Sequence, residues 1–156
     1  MTISTDVARG LLTLCVLLLF TVIAVQAQEY RPEKDLLGEK QIPADAYYGI
    51  QTARALENLR ISGETPQDYP ELIIAFAIVK LTAAMANHES GALPMEVLNA
   101  IEKACEAILS GRYHDQFVVD LYQGGAGTSA NMIANEVIAN AALELSGHEK
   151  DDYHTI

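Results

Sequence analysis

The sequence predicts a mainly α-helical fold with a short extended or hairpin arm at its start, and three observations carry that reading. Apolar residues step by three and four through the second half, as in Leu98, Ile101, Cys105 and Ile108, which is the spacing of one helical face. Glycines close those periodic runs at Gly111 and Gly147, where a helix favours a residue that accepts a positive φ. Pro32, Gly38 and Pro43 break the early charged stretch 29–45, so the chain there is extended or turning and not helical.

After this arm, 44–61 gains helix formers with Leu56 and Leu59 on one face, and Ser62-Gly63-Glu64-Thr65-Pro66 stops it. Pro70-Glu71 then opens a helix in the permitted way, with proline in the first turn and an acid near the positive end. Its body, Leu72 to Ala86, is apolar almost throughout, with Lys80 as the one charge. A helix apolar on nearly every side is expected to be buried on nearly every side, and three other helices are too few to cover it. The pattern implies that packing partners lie outside this chain. Gly91 and Pro94 separate it from an amphipathic helix over Met95 to Leu109, ended by Ser110-Gly111. Cys105 on its apolar face reads as a core residue without chemistry. Phe117 to Tyr122 is short and partly β-branched and aromatic; Gly124 to Ser129 is a loop; a last helix runs from about Ala130 to Ser146 and ends at Gly147-His148.

Residues 1–27 have a different character. Leu11 to Val25 is a run of fifteen residues without charge, preceded by Arg9 and followed by Val25-Gln26-Ala27 ahead of Gln28. That order matches a secretory signal with a small-x-small cleavage site. The run reaches roughly 22 Å as a helix, short of the bilayer's hydrocarbon core. The expectation is an exported chain, periplasmic or secreted after cleavage, or membrane-anchored if the leader stays. Residues 28–156 then form one modest domain, too short for two. With Cys15 in the leader, Cys105 has no partner for an intramolecular disulfide in the processed chain.

Net charge narrows the partners. Ten Lys and Arg against 21 Asp and Glu leave −11, the wrong sign for a nucleic-acid backbone or an anionic membrane surface. The membrane enters only through the leader. His88, His114, His148 and His154 are scattered with no partner visible in the sequence, metal-ligand spacing is absent, and the acidic pairs Glu29/Glu33 and Asp151/Asp152 read as solvated charges.

One segment asks for more than packing. Three glycines in Gly124-Gly125-Ala126-Gly127 let backbone amides converge, and the hydroxyls of Thr128 and Ser129 stand where they could cap the next helix. Amides, hydroxyls and a positive helix end together suit a carboxylate or phosphate. The plainer alternative is a flexible turn with an ordinary cap. The phosphate-loop pattern is not met, because no Lys follows the last glycine. For a carboxylate on a carbon acid, donors placed in advance would stabilise the charge that builds as a neighbouring C–H proton leaves.

Glu33-Lys34-Asp35-Leu36-Leu37-Gly38, then Ile42-Pro43-Ala44-Asp45-Ala46-Tyr47-Tyr48-Gly49-Ile50-Gln51-Thr52, and later Tyr122-Gln123-Gly124-Gly125-Ala126-Gly127-Thr128-Ser129 with Asn131-Met132 and Asn135-Glu136-Val137, resemble the N-terminal part of the aspartase/fumarase superfamily. The likeness runs from about Arg31 to Lys150, and its motifs are more similar to the aspartate ammonia-lyase branch than to class II fumarases. The resemblance implies elimination of ammonia from L-aspartate through a carbanion, no organic cofactor, and an active site assembled from several subunits of a homotetramer. It also implies that Thr128 binds the small dicarboxylate or amino-acid substrate, with Gly127, Ser129 and Asn131 as its neighbours, and that no catalytic base lies in this chain. The family's central helix bundle and the Ser-bearing loop are expected beyond Ile156, which makes this an incomplete lyase, inactive alone. Two departures stand out: Ile133 where the family has Asn, and Asp151 where it commonly has Gly. The alternatives to an ammonia-lyase are a fumarate hydratase-like fragment, a non-catalytic exported carboxylate-binding protein, and a degenerate product that does not fold stably.

Overall fold

The computed structural model describes residues 28–155, so the expected leader lies outside the described residues. Its architecture is the mainly helical one the sequence predicts. Strands β1 (Tyr30–Asp35) and β2 (Gly38–Pro43) pair antiparallel, with Tyr30 opposite Pro43 and Asp35 opposite Gly38. Helices follow as α1 (Ile50–Asn58), α2 (Pro70–Glu89), α3 (Met95–Leu109) and α4 (Thr128–Leu145), with single 3-10 turns at Pro66–Asp68, His114–Gln116 and Gly125–Gly127.

Helices α2, α3 and α4 pack on one another, and α1 leans on α4 and the hairpin. Their shared core includes Ile73, Ala77, Ala104, Cys105, Ile108, Phe117, Val119, Ile133, Val137 and Ala141. Alanines dominate the seams, so the helices approach closely while Phe117 and the isoleucines fill the space between them. Cys105 is fully buried, and its apolar surroundings push the thiol up to about 11. The core role expected for it holds.

Each long helix ends in the same way. Gly91, Gly111 and Gly147 all have positive φ, and each follows a serine. Behind α2, Gly91 N–H donates to His88 and Ala92 N–H to Asn87; α3 and α4 repeat this at Gly111 with Arg112 and at Gly147 with His148. These paired bonds satisfy carbonyls that the helix leaves open.

The first helix starts later than its composition predicts, at Ile50 instead of 44, and the reason is tertiary. Its leading amides are taken by two acids from elsewhere. Glu136 on α4 accepts from Gly49 N–H at 3.0 Å, Gln51 N–H at 2.8 Å and Thr52 N–H at 3.1 Å. Glu33 on β1 accepts from Ile50 N–H at 2.8 Å and from Arg31. The reading of Glu33 as a solvated charge is therefore wrong. It is 1 % exposed, and burial raises its carboxyl above the ordinary range against the opposing pull of Arg31. Glycine at position 49 leaves room for both carboxylates: a Cβ would meet Glu33 Oε2 at 2.7 Å and Glu136 Oε1 at 2.9 Å and push them from the amides they hold.

Helix α2 departs from its expected burial. Only Ile73, Ala77 and Ala84 are buried, while Ile78, Val79 and Met85 stand about half or more exposed. One seam packs on α3 and α4, and the rest of an apolar surface faces outward.

Candidate functional site

The glycine loop is built by backbone conformation first. Gly125, Ala126 and Gly127 all adopt left-handed φ, at 69°, 58° and 74°, before Thr128 turns right-handed and starts α4. Glycine takes this region without steric cost; Ala126 between them does not. The change of hand at Gly127-Thr128 is the kind of backbone turn that aims neighbouring amides the same way. A Cβ at Gly124, Gly125 or Gly127 would meet nothing within 4 Å. Gly125 and Gly127 are thus required by conformation and not by a crowded neighbour, while Gly124 is extended and is required by neither.

The four predicted binding residues fall on this loop and the first turn of α4. Thr128 is its first residue and exposed, Ser129 its second and half-buried, Asn131 its fourth and exposed, and Gly127 is the residue just before it. Thr128 and Asn131, three apart, share a helical face. The expected capping role of the hydroxyls is not seen. Gly127 precedes the helix without a side-chain cap, and the Thr128 hydroxyl donates to the Gly125 carbonyl at 2.7 Å. Its hydroxyl oxygen keeps acceptor capacity, and its proton must leave Gly125 to meet an anion.

A lysine does approach this turn, from another helix. Lys80 of α2 donates from Nζ to Asn131 Oδ1 at 2.6 Å. Sequence reading looked for a basic residue next to the glycines and missed one that only the packing of α2 on α4 brings in. Beside this pair, a groove of about 260 Å³ runs between α2, α3 and α4, lined by Ala84, Leu93, Ile101 and Ile138.

Below the loop lies a knot that the sequence did not announce. The Asp120 carboxylate accepts from the N–H groups of Ile61, Ser62, Gly63 and Tyr122 at 2.7 to 2.9 Å, and from the Ser62 hydroxyl at 2.7 Å. These donors, the Gly63 amide foremost, hold its carboxyl far below the usual carboxylate range. The knot ties the segment after α1 to the segment before the glycine loop. Gln123 then spans the loop itself. Its Nε2 donates to the Asp120 carbonyl at 2.7 Å, and its Oε1 accepts from Ala130 N–H at 3.2 Å.

Two histidines are structural in the way their scattered positions imply. His88 Nδ1 pairs with the Leu93 carbonyl and His114 Nε2 with the Ile108 carbonyl, both at 2.8 Å. Each ring thereby holds the chain just beyond a helix end. The two family departures have different explanations. Ile133 is fully buried in the core, so in this chain the position serves packing. Asp151 has φ of 73°, a conformation that glycine would adopt more easily. Its N–H donates to Asn140 Oδ1 at 2.9 Å, and Asn140 also donates to the Tyr47 carbonyl and the Tyr153 hydroxyl.

Comparison with known proteins places this arrangement. A family profile described as Lyase matches residues 38–155. Aspartate ammonia-lyase of Pseudomonas aeruginosa is 58 % identical over 123 residues, which is 79 % of this chain and 26 % of that protein. The Bacillus subtilis aspartate ammonia-lyase is also 58 % identical, over 126 residues, with 81 % and 26 % covered. This chain spans about a quarter of the length of these relatives. Among solved structures, the fumarate lyase:delta crystallin of Brucella melitensis in native form superposes with a TM-score of 0.80 at 52 % identity, covering 82 % of this chain and 30 % of that one. The class II fumarase of Schistosoma mansoni gives 0.73 at 32 % identity, covering 79 % and 26 %. The left-handed glycine loop at the head of α4 thus sits in a shared fold with a shared sequence, and the chain belongs to this lyase family, within the aspartase/fumarase superfamily.

Proposed function

We propose that this chain supplies the substrate-carboxylate loop of an aspartate ammonia-lyase, an enzyme that removes ammonia from L-aspartate to leave fumarate. The observation that carries the reading is the loop Gly124–Ser129: exposed, left-handed over three residues, and delivered onto the first turn of α4 with Thr128 and Asn131 on one face. In this reading the Thr128 hydroxyl turns from the Gly125 carbonyl to a substrate carboxylate, with Gly127, Ser129 and Asn131 forming the wall beside it. As the proton leaves the carbon next to that carboxylate, negative charge moves onto its oxygens, and donors turned toward them bind this state more tightly than the substrate.

The identity to proteins named aspartate ammonia-lyase supports the choice of reaction. Two of the histidines, His88 and His114, are engaged at helix ends and are not offered as a base at the loop. In this reading the base is supplied from outside these residues, within a tetrameric enzyme, and the chain by itself is expected to give no turnover. Residues 1–27 are read as directing it out of the cytoplasm, as a leader cut after Ala27 or as an anchor that stays.

A chimera tests the reading. Residues 30–155 replace the matching segment of the Bacillus subtilis aspartate ammonia-lyase, and ammonia release from L-aspartate is measured. The expected result is an active tetramer in which Thr128→Val lowers kcat/KM by roughly 1.5 to 3 kcal/mol. An unchanged kcat/KM for that variant would remove Thr128 from the site. Hydration of fumarate without ammonia release would shift the assignment to a fumarate hydratase.

A further inference from the structure

We propose that Gln123 is a positioning residue for the carboxylate loop, acting as a neutral staple whose replacement by an acid selectively rejects dicarboxylates. This rests on the reading of Gly124–Ser129 as the carboxylate loop.

Gln123 stands at the entrance to the loop, and its side chain reaches both ends. Nε2 donates to the Asp120 carbonyl before the glycines, and Oε1 accepts from the Ala130 N–H after them. Only a carboxamide can donate at one end and accept at the other with no net charge. The staple has two consequences. First, it holds the span 124–129 between a fixed point and the head of α4. The fixed point is the Asp120 knot, which gathers four backbone amides and one hydroxyl. Across the three left-handed residues, the Gly125 carbonyl accepts from both Thr128 N–H and Oγ1, and the staple adds a hold from outside the turn. Second, it satisfies one amide of the first helical turn without placing a negative charge there. An acid at this position would serve that amide equally well and would suit the positive end of α4. It would also set a carboxylate beside the place a substrate carboxylate must occupy. The charge that is good for the helix is bad for the ligand, and glutamine avoids the conflict.

The two effects separate in one experiment. The full chain, its Gln123→Met variant and its Gln123→Glu variant are titrated with fumarate while the amide resonances of residues 124–131 are followed by NMR, at low and at high salt. Thermal melts of the same samples report stability. The wild-type chain is expected to show saturable shifts confined to the loop. Gln123→Met, which keeps the shape but loses both bonds, is expected to weaken the apparent Kd about tenfold. Gln123→Glu is expected to melt no lower than Gln123→Met and to bind at least as weakly at low salt. Its deficit relative to wild type should shrink as salt screens the repulsion. A purely structural role would not produce that salt-dependent ratio. If wild type binds and both variants bind equally well, the staple is overturned while the loop reading stands. Absence of any loop shift in wild type overturns the staple as a determinant of carboxylate binding by this chain, while the loop reading is decided by the chimera.

Discussion

At the scale of single residues, three side chains sit where backbone geometry prefers glycine, Tyr113 at φ 64° among them. Asp151 at φ 73° and Ala126 at φ 58° carry a Cβ in the left-handed region, which costs about 1 to 2 kcal/mol for an ordinary residue. Asp151 is the better place to test this, because its N–H bond to Asn140 survives substitution. Asp151→Gly is expected to raise stability by roughly 0.5 to 1 kcal/mol, the relief of strain being partly offset by the freedom glycine gains when unfolded. An unchanged or lower urea midpoint would show that the aspartate carboxylate contributes more than its geometry costs. Asp120 makes the opposite kind of prediction. Its native carboxyl is held far down by the amides it gathers, so its contribution is present above the unfolded pKa of about 3.9 and is lost as pH falls below that value. Asp120→Asn keeps the shape without the charge. The variant should therefore be less stable than wild type at neutral pH and approach it in acid. Parallel acid-unfolding curves for the two would contradict this.

At the scale of elements, α1 owes its start to other parts of the chain. Nothing in Ala44 to Gly49 supplies a side-chain cap, and the work is done from β1 and α4 by Glu33 and Glu136. Glu136→Ala would strand three N–H groups at that turn. The expected loss is about 3 kcal/mol, read from urea unfolding. A loss below about 1 kcal/mol would mean that water replaces the carboxylate at little cost. The hairpin is fastened at its other end by Arg54, which donates twice to Asp35 and once to the Gly38 carbonyl, holding the Asp35 carboxyl down to about 2. A second tie runs from Arg31 to the carbonyls of Pro43, Ala46 and Tyr48. Together these ties make the arm part of the domain and not a loose extension.

At the scale of the whole molecule, the unusual feature is the outward face of α2. Ile78, Val79 and Met85 are 51 %, 62 % and 48 % exposed on one helix, and exposed apolar residues gathered on one element favour association. Replacing Ile78 and Val79 by lysine should leave the melting temperature within the range of neutral surface changes. It should also reduce concentration-dependent light scattering of the purified chain. A melting temperature lowered by many degrees would mean that these residues are packed in the chain as it exists in solution. The −11 net charge works against such association at low salt, so the difference between wild type and variant should widen as salt is raised.

How much of this was legible beforehand varies with the reach of the interaction. The helices α3 and α4, the hairpin arm and the glycine ends could be read because each depends on residues within a few positions: apolar spacing along one face, a proline that forbids a bond, a glycine that accepts a positive φ. The loop at Gly124–Ser129 stood out for the same local reason, and the resemblance to a lyase family rested on contiguous motifs that the comparisons then matched. What required the tertiary structure was every relation between distant positions. Glu33 looked solvated until β1 laid it against the start of α1; Lys80 looked unrelated to the loop until α2 packed on α4; Asp120 and Gln123 carried no visible role until the chain brought Ile61 to Gly63 and Ala130 to them. The physical reason is that backbone conformation is set by neighbours along the chain. The burial of a charge and the partner of a donor are set by neighbours in space, and the sequence lists only the former.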